Sequence, residues 1–254
     1  MNLPALVLAA GRGERMRPLT DDCPKPLLPV HGRPLLAWHL EALARDGVRR
    51  VVINTAWREE RIPEALGDGG RWGLEIRYSM EGRAHGGALE TAGGIAAALP
   101  LLDAPCFWLV SGDIFAPGFR FDAGRARAFA AGGDLAHLWL APNPPYHPRG
   151  DFGIGADGRG LADGPGPDGR RRTYANLALV RGELCGGIVP GTRAPLGPLL
   201  FEGMRAGRIG VEAYDGPWHN VGTPAQLAEL NAAPLADLLA PAPTSPAVAH
   251  EDPA

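Results

Sequence analysis

The chain has 254 residues, 25 Lys and Arg against 28 Asp and Glu, a formal net charge of −3 and three cysteines. No basic excess is available to neutralise a polynucleotide, so general nucleic-acid binding is excluded, and no stretch approaches the ~20 apolar residues of a membrane-crossing helix. Cys23, Cys106 and Cys185 have neither metal-ligand spacing nor an even disulfide count, and the opening lacks a secretory n-region and h-region, so the expected compartment is the cytoplasm.

Residues 3–10 read as an apolar strand that runs into Gly11-Arg12-Gly13-Glu14-Arg15-Met16-Arg17-Pro18-Leu19-Thr20, with Lys25 following between Pro24 and Pro26. Residues 35–46 predict an amphipathic helix that starts at Pro34 and stops at Gly47. The spacing then predicts strand over 51–54, helix over 58–66, strand over 74–78, helix over 88–99 and a buried strand over 107–110 ending at Gly112-Asp113. Such alternation implies an α/β fold with a mostly parallel sheet covered by helices on both faces. Strands over 135–141 and 173–180 flank a Gly/Asp/Pro-rich stretch, 155–169, that reads as a hairpin or flexible loop. Helices are expected over 196–205 and 224–231. One domain is expected over 1–232, and the Ala/Pro-rich remainder, 233–254, reads as a flexible tail.

The first strand–loop junction is chemically the most specific feature. Bare backbone N–H groups and fixed positive charge in one place describe a polyphosphate site. A dinucleotide fingerprint would need a third glycine where Met16 stands, and a Walker A loop would need Gly-Lys-Ser/Thr, which is missing here. Gly11, Arg12 and Gly13 are candidates for a backbone cradle, and Arg15 for stabilising charge on the β- and γ-phosphates. Asp113, at the end of an apolar strand, reaches the carboxyl edge of the sheet, where a hard cation such as Mg²⁺ takes carboxylate and phosphate oxygens.

The run 8–20 followed by Pro24-Lys25-Pro26-Leu27 resembles the signature of sugar-1-phosphate nucleotidylyltransferases. Further landmarks keep that family's order: Leu89-Glu90-Thr91-Ala92-Gly93-Gly94, Val110-Ser111-Gly112-Asp113, Gly150-Asp151-Phe152 and Val221-Gly222-Thr223-Pro224. Within the family the chain is most similar to the short branch that joins UTP to N-acetylmuramate α-1-phosphate, and mannose-1-phosphate guanylyltransferases share much of the signature. The resemblance implies a Rossmann-like, GT-A-like three-layer fold, a nucleoside triphosphate (UTP favoured) and a sugar 1-phosphate as ligands, and Mg²⁺ as cofactor. It also implies that Lys25 supports the α-phosphate.

Base recognition falls to the backbone of Ala10 and Gly11, with Glu81 and the segment containing Gly93 and Gly94. Asp151, Asn176 and Arg172 are the candidates for the sugar phosphate. The second metal position of the family, often Asp, is Asn220 here, an oxygen ligand without charge. That departure motivates a minor alternative, a non-catalytic nucleotide-sugar-binding regulator. Monomer and homodimer both remain open. Trp38, Trp57, Trp72, Trp108 and Trp139 are expected in the core or at an interface.

Overall fold

A computed structural model describes residues 2–239. Seven strands form one sheet: β1 (Ala5–Leu8), β2 (Arg50–Thr55), β3 (Glu75–Met80), β4 (Cys106–Ser111), β5 (Ala136–Ala141), β6 (Thr173–Arg181) and β7 (Ile209–Ala213). Their order across the sheet is β7-β5-β6-β4-β1-β2-β3. β1 to β4 run parallel, β6 is antiparallel to both of its neighbours, and β7 lies parallel to β5. This is the mostly parallel mixed sheet that the strand–helix alternation implied.

The helices are α1 (Leu35–Arg45), α2 (Arg61–Leu66), α3 (Glu81–His85), α4 (Glu90–Leu102), α5 (Ala123–Ala131), α6 (Gly197–Arg205), α7 (Pro224–Ala232) and α8 (Leu235–Leu239). Side chains of a strand alternate between faces, and β1 uses both. Ala5 and Val7 belong to one buried cluster with Leu36, Leu40 and Leu43 of α1, Ile62 of α2 and Phe129 of α5. Leu6 belongs to the cluster on the other face, which also takes in Ile95 of α4 and Leu200 and Met204 of α6. The sheet is therefore the middle of three layers, and a one-residue slip of β1 would exchange the two faces.

Besides the short α3 and α8, two elements, α5 and β7, are unmarked in the sequence pattern. α5 buries only Ala126 and Phe129, too few apolar positions for a visible stripe; what starts it is Asp122, whose carboxylate accepts the Arg125 N–H at 2.6 Å. β7 is a five-residue edge strand containing Gly210, and it is held by pairing with β5 more than by its own propensity. α4 runs past the expected stop at Leu99 to Leu102, with Pro100 inside its last turn. A hairpin is present but starts ahead of the Gly-rich stretch, with Gly153–Ile154 antiparallel to Gly160–Leu161, and only its second strand lies within 155–169.

A third apolar cluster sits below the carboxyl edge of the sheet. Met16, Leu28, Val30, Trp38, Phe115, Val221, Leu227, Leu230 and Leu238 meet there, and Trp38 stands edge-on to Phe115 at 5.3 Å. This cluster joins the signature loop to the C-terminal helices. α8 falls inside the stretch expected as a tail, and its Leu238 is buried; residues 240–254 lie outside the described residues.

Candidate active site

Parallel strands β1, β2 and β4 end side by side, and the polar residues that follow them line one edge. In open α/β sheets, ligands bind outside the carboxyl ends of the strands. After β1 the chain turns through Gly13, whose φ of +64° is left-handed, into a short turn, Glu14–Met16. A Cβ on Gly13 would approach Lys25 Cβ and Thr20 Cγ2 to 3.0 Å, so glycine here serves both conformation and close approach. The Thr20 hydroxyl donates to the Gly13 carbonyl at 2.8 Å and Met16 is fully buried, which pins both ends of the loop.

Lys25 opens a single helical turn, Lys25–Leu27, preceded by Pro24 and containing Pro26. Its side chain is only 9% exposed, and Nζ lies 2.9 Å from Asp113 Oδ2, whose side chain is 38% exposed. Asp113 precedes a two-residue ribbon, Ile114–Phe115 against His219–Asn220, in which Asn220 pairs with Ile114. The Val221 N–H donates to the Asp113 carbonyl at 2.9 Å. Asn220 is thus carried to the neighbourhood of Asp113 by backbone pairing.

The ribbon rests on His39 of α1, a buried residue that sequence reasoning did not single out. Its Nε2 donates to the Ile114 carbonyl at 2.8 Å, and burial pulls the imidazole down to about 4, against the opposing influence of that hydrogen bond and of Asp113. A histidine depressed from an unfolded value of 6.5 binds fewer protons folded than unfolded between those two values. Stability is therefore full above pH 6.5 and is lost as pH falls toward 4, by roughly 3 kcal/mol. Urea melts between pH 7 and pH 4 should show this slope, and His39→Gln should flatten it; an unchanged slope would assign the acid sensitivity elsewhere.

Two clefts open along this edge. One, of about 640 Å³, is lined by Ala9 to Arg15, Lys25, Pro26, Asn54, Ala88, Glu90, Thr91, Ser111 and Asp113. The other, of about 770 Å³, is lined on its polar side by Tyr146, His147, Asp151, Asn176 and Asn220, and on its apolar side by Leu109, Phe152, Leu196, Leu200 and Trp218. Leu8, Arg15, Glu90, Thr91 and Ser111 line both. Arg15 makes no ion pair among the described residues, and a Cβ on Gly222 would come 3.8 Å from its guanidinium. Arg12 lies over the Trp57 ring at 4.8 Å, so its charge sits at the rim and not the floor.

Ala10, Gly11, Arg12, Gly13, Arg15, Lys25 and Asp113 thus share one cleft, and Asp151, Asn176 and Asn220 share the adjoining one. Asn176 has a left-handed φ of 58° within a register shift of β6 against β5, and such a bulge re-aims a side chain. Asp151 lines the cleft, but its oxygens are engaged, one with His147 Nε2 at 3.0 Å and one by the Tyr174 N–H at 2.8 Å.

Four expectations are corrected. Glu81 is buried beneath the cleft wall, with Oε1 accepting from Asn54 at 2.6 Å and Oε2 from the Leu89 N–H at 2.8 Å, so it presents no free edge to a base. Burial pushes its carboxyl above the ordinary value, opposed by those two donors and by His85. Gly93 and Gly94 lie within α4 and face protein. A Cβ on Gly93 would overlap the Thr192 carbonyl, and one on Gly94 would lie 2.7 Å from both Asn54 Nδ2 and Glu81 Oε1. Arg172 is drawn away by Asp215 at 3.4 Å and Asp168 at 3.9 Å.

Asn54 and Ser111 were legible only as strand ends: each closes an apolar run at the carboxyl edge, the place where polar residues face ligands. Trp57 is not a core residue, whereas Trp38, Trp108 and Trp139 are buried.

Residues 4–145 match the nucleotidyl transferase family. An N-acetylmuramate alpha-1-phosphate uridylyltransferase of Neisseria meningitidis serogroup B is 44% identical over 235 residues, covering 91% of this chain and 97% of that protein. A mannose-1-phosphate guanylyltransferase of Mycobacterium tuberculosis is 40% identical over 92 residues, which span 36% of this chain and 24% of that protein. Among solved structures, one assigned as a glucose-1-phosphate thymidylyltransferase from Bacillus anthracis superposes with a TM-score of 0.76 at 17% identity, covering 92% of this chain and 95% of that one. HddC from Yersinia pseudotuberculosis complexed with GMP-PN gives 0.70 at 16% identity, covering 90% of this chain and 98% of that one. At such identities the likeness carries the fold alone: a Rossmann-like sheet of the GT-A type.

Proposed function

This chain belongs to the nucleotidyl transferase family, and from that premise we propose that it transfers UMP from UTP to N-acetylmuramate α-1-phosphate, giving UDP-N-acetylmuramate and pyrophosphate. The observation that carries the choice of substrates is the 44% identity sustained over 97% of the Neisseria uridylyltransferase. The adjoining clefts supply the two compartments such a transfer needs.

An oxygen of the sugar phosphate is already ionised and attacks the α-phosphorus of UTP. One P–O bond forms, the bond between the α-phosphorus and the bridging oxygen breaks, and pyrophosphate leaves with the electron pair. The chain's task is to hold two anions together in line and to stabilise the leaving charge. The triphosphate lies along the backbone of Ala10 to Gly13, with Arg15 meeting the β- and γ-phosphates from the seam between the clefts. Lys25, steadied by Asp113, has two further N–H donors for the α-phosphate. The sugar lies in the second cleft beside Asn176, with Asp151 and His147 at its polar side.

Asp113 and Asn220 fit a Mg²⁺ ion: both are hard oxygen donors, and a carboxylate 38% exposed can change partners. Mg²⁺ is bound through one or two carboxylates together with substrate phosphates and water, so two side-chain oxygens are enough for it. Held by Asp113 and Asn220, the ion would supply positive charge to offset the phosphates. No described helix is long and apolar enough to cross a membrane, and we place the reaction in the cytoplasm, in peptidoglycan recycling, in a monomer or homodimer.

The test is pyrophosphate release with Mg²⁺, crossing UTP, GTP, dTTP, CTP and ATP with the 1-phosphates of N-acetylmuramate, N-acetylglucosamine, glucose and mannose. Turnover confined to UTP and N-acetylmuramate 1-phosphate is the expected result. Preference for GTP and mannose 1-phosphate would replace both substrates, and nucleotide binding without turnover would favour the regulator.

A further inference from the structure

A hydrogen-bond relay passes beneath the first cleft from one wall to the other. At one end the Ala9 N–H donates to Asn54 Oδ1 at 2.7 Å; next, Asn54 Nδ2 donates to Glu81 Oε1 at 2.6 Å. At the far end the Leu89 N–H donates to Glu81 Oε2 at 2.8 Å. Ala9 leads into the phosphate loop, while Leu89 lies between Ala88 and Glu90, which line the opposite wall. Glu81 itself is 1% exposed and lines neither cleft.

Polarity along this relay is dictated from both ends. A backbone N–H can only donate, so the amide of Asn54 must turn its oxygen to Ala9, and its NH₂ then faces position 81. The group at 81 consequently meets two donors and must accept on both sides, which a carboxylate does and a carboxamide cannot. Gly94 packs against the junction so closely that a Cβ there would reach 2.7 Å from both partners.

We propose that Glu81 is a positioning residue, required as a carboxylate, that works through Asn54 to hold the phosphate loop and the head of α4 at the separation the nucleotide needs. This rests on the reading of the first cleft as the nucleotide site. Glu81 is not a catalytic residue, since it touches no substrate.

The test compares E81Q with the double variant N54D/E81Q. E81Q has the same shape but sets an NH₂ against one of two fixed donors, and leaving a buried donor unpaired is expensive. In the double variant the new aspartate at 54 accepts from Ala9 and from the new glutamine, whose oxygen accepts from Leu89. Every donor is then met, and the single negative charge has moved by one hydrogen bond.

UTP affinity is read by calorimetry with Mg²⁺ and no sugar phosphate, alongside Tm and the KM-against-kcat split. E81Q should weaken UTP binding about tenfold and raise KM for UTP similarly, with kcat changed less than about threefold; because position 54 lines the first cleft, the double variant is read against N54D alone, and should recover the Tm and bind UTP more tightly than N54D. Wild-type UTP affinity in E81Q would overturn the proposal. So would a double variant that recovers nothing, or one that recovers Tm yet binds UTP no better than N54D, since the pair would then hold the fold and not the site. Failure of the unsubstituted protein to bind UTP would instead sink the nucleotide reading, a result distinct from equal binding by the two proteins.

Discussion

Lys25→Ala is expected to lower turnover by about 10²- to 10³-fold while the protein stays folded, because a fixed charge aimed at developing negative charge is worth that much in a partly desolvated site. Local structure favours the large end of that range. Lys25 sits in a turn bounded by Pro24 and Pro26, its side chain is 9% exposed and its ammonium is already placed by Asp113, so little freedom remains to be lost when a phosphate arrives. The alanine change also deletes the apolar stem of a side chain that is 9% exposed. Lys25→Met separates the two effects, since it keeps most of the stem and removes only the charge. Both variants should show a similar loss of kcat, with Tm closer to the wild-type value in the methionine variant. Lys25→Arg should not rescue, because a planar guanidinium cannot occupy a slot shaped for a compact ammonium. Near-normal kcat in the methionine variant would remove Lys25 from the mechanism.

The parts of the site legible in the sequence were those whose chemistry is local. A strand running into Gly11-Arg12-Gly13 states its own function, because both the backbone donors and the charge lie within a few residues. Asp113 could be read the same way, as a carboxylate ending an apolar strand. Glu81, Gly93 and Gly94 were misplaced for one shared reason: their roles depend on what packs against them from far along the chain. Glu81 faces Asn54 across 27 residues, and Gly93 faces Thr192. Residue type alone cannot tell a carboxylate that reads a ligand from one that satisfies two buried donors. Arg172 shows the converse. Its charge was visible, but Asp168 and Asp215, which claim it, belong to separate turns. The fold was legible where periodicity was strong, through β4 and α4, and faded where α5 and β7 are held by one cap and by edge pairing.

Asp113→Ala should cost at least as much as the loss of Lys25, about 10³-fold in kcat, and should raise the Mg²⁺ concentration for half-maximal rate. Asp113 is asked to do two things: it orients the Lys25 ammonium at 2.9 Å, and it brings the only full negative charge to a metal position it would share with the neutral Asn220. Asp113→Asn divides these roles. An asparagine oxygen can still accept from Lys25, so positioning is largely retained, but two neutral amides would then face the ion and its affinity should fall steeply. The ribbon should survive either change, because the Val221 N–H bonds the backbone carbonyl of residue 113 and not its side chain. The expected result for Asp113→Asn is a large loss at low Mg²⁺ that is partly recovered at high Mg²⁺, and for Asp113→Ala a loss that added Mg²⁺ does not recover. A rate for Asp113→Asn that is depressed equally at all Mg²⁺ concentrations would assign the carboxylate to Lys25 alone. Since the two side chains share one ion pair, their effects should not add: Lys25→Met combined with Asp113→Asn should lose less than the product of the two single losses. Full multiplicativity would mean that the Lys25–Asp113 pair is broken before the transition state, with each group then acting on its own phosphate.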